Sequence, residues 1–561
     1  MGDNNKGAVD TASIKVETSS SSDYAVESAQ AKDYDTRVLE ELGYKQEFTR
    51  EVSLMVQAGF AFSTMAVLPN WLVNLTATMS AGGPMSLFWG IVRDRYSRDF
   101  TKLANLNMCT PSIAYPVNGG VYSWCYLLSS PEWGPIMSWL CGYIFTGGLL
   151  SVLMTLAYTM AEYVIGKLNI ILLHYNTPSQ LTTYIPFIAI ANVLNVQQTD
   201  NQGAIVGLYI LFLIIGVGYS YLGIKFSGYL NYFMIYWVGI GTILVVVIMP
   251  AMAPTHPSAE WVFTVFQNTT GYKNQGITFL LGMLQAGWCL IGYENGAQIA
   301  EGTRNASTSG PIGLMIAVGS GIVQALVVSV AVLFSIQDLE ELQSETPAGA
   351  IAVLFVRATN NTSLTAFFLV ILLVTQFGSL CNSFLAVAQL IWSMARDGCI
   401  PNHRFWYKLS GKHEAPLRIL ILVAVICIVV IMPSFASEVY WSAIMSTAVI
   451  CVNVAYGMPF FCRLVWKRDH VHKGPFNLGR WSVPINFVAV LWVIFFAIIL
   501  CFPSVSPVEP VTMNWASLMI GAVFIFALTF WFVGGRKTFK GPMQTLGNMA
   551  TEGDVKANEA S

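Results

Sequence analysis

Charge is what this sequence has least of. Only 11% of its 561 residues are Asp, Glu, Lys or Arg, against roughly a quarter in a soluble domain. With 55% of residues hydrophobic, the apolar surface exceeds what a water-soluble core can hide, so most of it must face lipid. The 29 basic and 31 acidic residues nearly cancel, and the basic ones sit in short clusters between apolar runs, which excludes a nucleic-acid face. Histidine is scarce: the six lie at 174, 256, 403, 413, 470 and 472, in loops or loop-like segments. A nucleophile with a His partner or a paired acid and base is therefore not in evidence, and an enzyme is not expected. The ten cysteines fall almost entirely in apolar runs or in segments assigned to the cytosol, with no Cys-x-x-Cys pair, so neither a disulfide framework nor a metal site is implied. Residues 1–48 are Ser-rich and acidic with no apolar core of signal-peptide length. They read as a disordered cytosolic tail, which leaves the first membrane helix as the insertion signal.

What is present is a series of charge-free stretches. A helix needs about 20 mostly apolar residues to cross the hydrocarbon, because buried peptide groups must pair within the segment. Such runs lie near 53–78, 135–160, 204–224, 229–252, 276–299, 311–335, 364–394, 418–433, 439–462, 482–503 and 514–534, which predicts eleven spans within a membrane domain at 49–535. Residues 184–194 are apolar but short, and 84–92 run straight into Arg93, Asp94, Arg95, Arg98, Asp99 and Lys102. Neither qualifies as a span alone. Lys and Arg accumulate after 394, after 462 and in the tail at 536–561, which assigns those loops to the cytosol. The loops at 253–275 and 336–363 are acidic or poor in basic residues and carry Asn-x-Ser/Thr sites at Asn268, Asn360 and Asn361, so they face outward. A cytosolic N-terminus then requires a further crossing at 84–110, where parity and polarity disagree. The plasma membrane is the expected location.

From about residue 40 to 540 the chain resembles the fungal GABA and choline permease branch of the amino acid, polyamine and organocation transporters. The resemblance rests on an ordered set: Leu42-Gly43-Tyr44-Lys45-Gln46-Glu47-Phe48, Ala81-Gly82-Gly83-Pro84, Tyr115-Pro116-Val117-Asn118-Gly119-Gly120, Phe334-Ser335-Ile336-Gln337-Asp338-Leu339, Ala395-Arg396-Asp397-Gly398 and Gly474-Pro475-Phe476-Asn477-Leu478-Gly479. It implies about twelve helices, the first ten as two inverted five-helix repeats and two more at the C-terminal end, with substrate held where the first and sixth helices unwind. It also implies proton coupling and a small amine-bearing solute such as an amino acid, GABA or choline. The charged stretch 93–108 departs from the family's apolar second helix. It is either a cytosolic loop or a locally misread gene.

Broken helices expose unpaired N–H and C=O groups to a ligand. In the sixth helix, Gly287, Gly292 and Gly296 permit unwinding and Glu294 supplies a charge inside an apolar run, where the family usually has Asp. Tyr293 lies beside it. The first helix carries Ser63, Thr64, Pro69 and Asn70, and Pro69 removes a backbone donor, so a kink is expected near 65–69. Ala66 stands where the family usually has glycine. Trp71, Trp288 and Tyr293 are candidate aromatic faces for an ammonium. Ser379, Asn382 and Ser383 put polar groups on one face of the eighth helix, more for helix-to-helix bonding than for solute. Ser63, Thr64, Ala66, Pro69, Gly292, Tyr293, Glu294 and Gly296 are thus the candidate substrate residues, and Glu294, Ser379 and Asn382 the candidate coupling residues. Glu162, at the outer end of the third helix, reads as solvated. The stretch 229–252 carries no charge, whereas some relatives have a lysine in the fifth helix. Arg396 and Asp397 read as loop anchors. The expected function is proton-driven import by alternating access, without cofactor or covalent chemistry; the rival is a permease-like nutrient sensor or inactive paralogue.

Overall fold

The computed structural model describes residues 50, 52–90, 119–174 with side chains to 165, 202–344, 347–410, 413, 415–435, 439–466, 482–509 and 513–542. The expectations for residues 1–48, 93–108, 184–194 and the motifs at 42–48, 115–118 and 474–479 fall outside those residues. Among the described residues every regular element is helical, and β-pairing is limited to isolated bridges. Among the described residues eleven helices are long and apolar enough to cross a membrane, one for each predicted run. Lipid explains why even β-branched sequence is helical here. Leu417–Ile431 reads LRILILVAVICIVVI, a strand-former in water, but in hydrocarbon only a helix pairs all its peptide groups within the segment.

The first span is made of α1 (Leu54–Met65) and α2 (Val67–Val73), continued by α3 (Leu75–Ser80). Between α1 and α2 stands Ala66 in the left-handed region, with φ 40° and ψ 52°. The sequence explains the break. Pro69 has no N–H to offer the carbonyl four residues back, that of Met65. The Asn70 side chain takes the missing place: its Nδ2 donates to Met65 O at 2.8 Å, while Asn70 N–H reaches Ala66 O at 3.1 Å. The expected kink is therefore a break one turn before the proline.

On the far side of the first span, residues 83–90 are helical, and α4 (Val121–Leu128) leads to α5 (Gly134–His174). Next come α6 (Gln202–Tyr221) and α7 (Gly223–Met252), then α8 (Gln275–Gly282), α9 (Leu284–Cys289) and a 3-10 helix, Tyr293–Gly302, which together form one span. The remaining spans are α10 (Ala306–Leu333), α11 (Thr362–Arg396), α12 (Leu417–Ile431), α13 (Val439–Val465), α14 (Ser482–Leu500) and α15 (Ala516–Phe530). Since α7 starts at Gly223, it contains Lys225, so this span is not free of charge as expected from the narrower stretch 229–252.

Two sets of backbone bonds fix which ends lie together. Val52 N–H donates to Gly302 O at 3.0 Å and Arg304 N–H to Val52 O at 2.9 Å, so the first span starts where the 3-10 helix ends. At the other end, Gly82 N–H donates to Gln267 O at 2.7 Å and Thr269 N–H to Ser80 O at 3.0 Å. Tyr122, just past Gly120, bonds Asp397 at the end that also carries Arg304 and Arg396. Residues 82 and 120 therefore sit at opposite ends of the bundle. We call the end with Arg304 and Arg396 the basic end.

Replacing Asn70 by Ala should lower the thermal midpoint of the detergent-solubilised protein, the orphaned Met65 carbonyl costing about 1–3 kcal/mol. Adding Pro69→Ala restores a backbone donor and should recover part of the loss. Equal midpoints for Asn70→Ala and the unsubstituted chain would mean that this carbonyl is satisfied another way.

Candidate functional site at two broken helices

The second break lies at Leu290–Gly292, where Gly292 adopts φ 98°, a conformation open to glycine and strained for other residues. The 3-10 helix begins at once. Its first N–H groups have no partner in the preceding turn, and Glu294 turns back so that Oε2 accepts the Gly292 N–H at 3.0 Å. The other oxygen, Oε1, is buried and makes no hydrogen bond of standard geometry, although the Tyr456 hydroxyl of α13 lies against the carboxyl. Glu294 is buried.

The two breaks touch. A Cβ built on Gly292 would lie 3.2 Å from Thr64 Cγ2, so any larger residue at 292 would press on the first span. Polar side chains tie the halves of the two spans in register. On the basic side Gln57 Nε2 donates to Gly296 O at 3.1 Å, and on the other side Gln285 Nε2 donates to Trp71 O at 2.6 Å. Tyr163 of α5 donates to Pro69 O at 3.0 Å.

α11 supplies the frame behind the first break. Ser379 Oγ donates to Thr64 O, and Gln376 Nε2 reaches Asn70 Oδ1 at 3.3 Å. Asn382 Nδ2 donates to Ser63 Oγ at 2.7 Å, Ser63 Oγ donates to Asn231 Oδ1 at 2.6 Å, and Asn231 of α7 exchanges amide bonds with Asn382. Thr64 Oγ1 turns back to Phe60 O at 2.6 Å. Ser63, Thr64, Ser379 and Asn382 thus lie together, and their hydroxyls and amides are spent on binding the first span to α7 and α11. Ala66 and Gly292 form the breaks, Pro69 follows the first, and Gly296 lends its carbonyl to Gln57. Tyr293 stacks at a tilt on Tyr456, ring centroids 5.4 Å apart. Trp71 and Trp288 are fully buried.

Three residues depart from expectation. Glu162 is half-buried, with Oε2 shut from solvent and unpaired, because α5 continues past it rather than ending in water. Arg396 and Asp397 are not loose loop anchors. Arg396 forms a two-bonded ion pair with Glu301, at 3.1 and 3.2 Å, their side chains 2% and 0% exposed. Its guanidinium lies 5.0 Å over the Trp392 ring. Asp397 accepts the Tyr122 hydroxyl, which also bonds Ser393 at 3.0 Å. The cluster joins α4, the 3-10 helix and α11 across the basic end, beneath the breaks. Sequence spacing carried no signal for it, since Glu301 and Arg396 lie 95 residues apart.

A groove of about 550 Å³ lies elsewhere, toward the other end of α7 and α10. Val246, Pro250, Leu326 and Val330 give it an apolar wall, so it offers little to orient a polar solute. Among the described residues no cluster of three His, Cys, Asp or Glu is placed to hold a metal ion.

Helices crossing a membrane, two of them broken at one touching point beside a buried carboxyl, define a multi-span transporter of the broken-helix kind. A family model described as amino acid permease matches residues 57–525, and the chain belongs to the amino acid permease family. It is 29% identical over 531 residues to the amino-acid permease BAT1 homolog of Oryza sativa subsp. japonica, covering 91% of this chain and 95% of that one. Amino-acid permease BAT1 of Arabidopsis thaliana is 25% identical over 517 residues, covering 91% and 96%. Amino-acid permease 2 of Neurospora crassa is 26% identical over 508 residues, covering 90% and 89%. The family assignment indicates a membrane transporter of amino acids rather than an enzyme.

Removing one partner of the buried pair, as in Arg396→Met, should cost about 3–5 kcal/mol by stranding Glu301 and sharply reduce folded protein in the membrane. The double variant Glu301→Leu with Arg396→Leu should recover yield. If the single variant accumulates normally and melts at the unsubstituted temperature, the pair contributes nothing to stability.

Proposed function

We propose that the chain is a secondary active importer that binds the amino group of a small amino acid at Glu294 and moves it by alternating exposure of the two breaks. Glu294 is the observation that supports this most directly. It stands in an apolar span at the contact of two broken helices, one oxygen bonded and one free. In hydrocarbon a charge at a helix centre costs about 2.5–3.5 kcal/mol, so an acid in such a place is kept for a partner that arrives. An ammonium supplies the donor that Oε1 lacks. A carboxylate suits the N–H groups at the start of a helix, where the macrodipole is positive. Both groups belong to an amino acid, and the relatives' names agree.

The ion pair at the basic end supports alternating exposure. Glu301, Arg396, Asp397 and Tyr122 tie together three elements beneath the breaks, which describes a protein closed on that side. The basic loops make this the cytosolic side. Import then requires the pair to separate. Proton coupling through Glu294 fits the same geometry, because a buried carboxyl that releases its solute on one side is best left neutral for the return. GABA, which keeps both groups at a wider spacing, and choline, which has neither a carboxylate nor an N–H donor on its cationic nitrogen, are the solutes to compare with α-amino acids.

Uptake of the proteinogenic amino acids, GABA and choline should be measured in permease-deficient yeast expressing the chain. An amino acid should accumulate, driven by an inward proton gradient and abolished by an uncoupler; dependence on sodium alone would refute proton coupling. Glu294→Gln should abolish uptake at normal surface expression, and a variant that retains full transport would return Glu294 to a structural role. If no solute is taken up by correctly placed protein, the nutrient-sensor reading replaces this one.

A further inference from the structure

The 3-10 helix Tyr293–Gly302 turns once in three residues, so side chains three apart eclipse along one face. Asn295 and Gln298 stand in this relation; Glu301 follows past a kink at Ile299, where φ is -108° and ψ 15°, and holds the ion pair with Arg396. Asn295 and Gln298 are both 0% exposed. Yet Nδ2 and Oδ1 of Asn295, and Nε2 and Oε1 of Gln298, have no hydrogen-bond partner. Gln57 Oε1, on the first span where its Nε2 holds Gly296 O, is unpaired as well. The wall opposite Gln298 is Gly120, where a Cβ would lie 3.0 Å from Gln298 Nε2; the absence of a side chain there leaves the amide its space.

Buried polar groups are paired in all but a few instances, and a fully orphaned amide has no structural work to do. Two of them in one column, between a candidate solute site and a closed ion pair, point to a partner that is present in another state. Each amide offers an acceptor for an ammonium and two donors for a carboxylate. Neither bears a charge, so a zwitterion can be passed without being trapped. We propose that Asn295 and Gln298 form a second binding position for the transported amino acid, occupied after it leaves the breaks and before the Glu301–Arg396 pair opens to release it. This rests on the transport reading above, and it adds a site on the basic side that the breaks themselves do not supply.

The test uses inverted membrane vesicles that carry the full chain and expose the basic end. Gln298→Cys is treated with the impermeant trimethylammonium-ethyl methanethiosulfonate, with and without a mixture of the proteinogenic amino acids other than cysteine, whose thiol would consume the reagent, and the unsubstituted chain gives the background from its own cysteines. Uptake of the same radiolabelled mixture is followed in parallel. Expected are modification above background and its suppression by the mixture. A cysteine that reacts but is not protected, in vesicles that transport, shows a water path and overturns the second position while leaving the transport reading intact. A cysteine that never reacts overturns it equally. Vesicles that transport no amino acid remove both readings together.

A second variant separates this role from a structural one. Gln298→Leu should raise KM measured from the basic side about fivefold, the factor that one lost hydrogen bond carries, with KM from the other side unchanged. It should also raise the thermal midpoint, because an orphaned amide is replaced by an apolar side chain. A lower midpoint with both KM values unchanged would make the amide structural and overturn the proposal.

Discussion

A peptide group in hydrocarbon has no water to fall back on, and that constraint organises this molecule. Each span satisfies its own backbone, and where it cannot, a side chain is placed to do so. The Met65 carbonyl shows the rule at its most local: Pro69 withdraws a donor and Asn70, the next residue, returns one. Around that repair α11 lays a second layer, with Gln376 on Asn70 and Ser379 on Thr64. The break is thereby held open without being left unsatisfied.

The same reasoning sorts the polar residues of the bundle into two kinds. Ser63, Asn231 and Asn382 saturate one another, and their net effect is to bind the first span to α7 and α11. Mutual saturation of this sort gives about 1 kcal/mol or less per bond in a membrane, but it fixes which faces meet. Glu294, Asn295 and Gln298 retain open valences although they are buried. The saturated groups make the scaffold, and the unsaturated ones at Glu294, Asn295 and Gln298 are where a solute is proposed to bind. The Glu301–Arg396 pair stands between the two kinds: it is fully matched, yet its two halves come from elements that import by alternating exposure would have to separate.

The fold was largely legible because lipid imposes a length. All eleven predicted runs are helices, most with limits that differ by a few residues, as at α7, where Lys225 extends the span past its apolar stretch, while α5 runs on from the predicted end at 160 to His174. The breaks were legible unevenly. Gly292 announces itself, since a glycine in an apolar helix asks for a reason. Ala66 does not, because alanine is the best of helix formers, and only Pro69 nearby hinted that the ladder was interrupted. Contacts between distant segments left no local trace. Arg396 looked like the start of a basic loop, and nothing in the spacing tied it to Glu301; Asn231 sat unremarked in an apolar run; Glu162 looked wet because it stands near the end of its stretch. Membership in a family helped where motifs were local, at Glu294 and at Ala395-Arg396-Asp397-Gly398, and was silent on what those residues touch.

The methyl group of Ala66 remains. A glycine in that place would let the two halves of the first span swivel through a broad, mirror-symmetric range of angles, whereas an alanine at φ 40° occupies a small well with steep sides. The joint therefore behaves like a ratchet with a detent and not like a ball socket. Its halves hold a set angle or leave it abruptly, and the rocking that the proposed import requires would be correspondingly discrete.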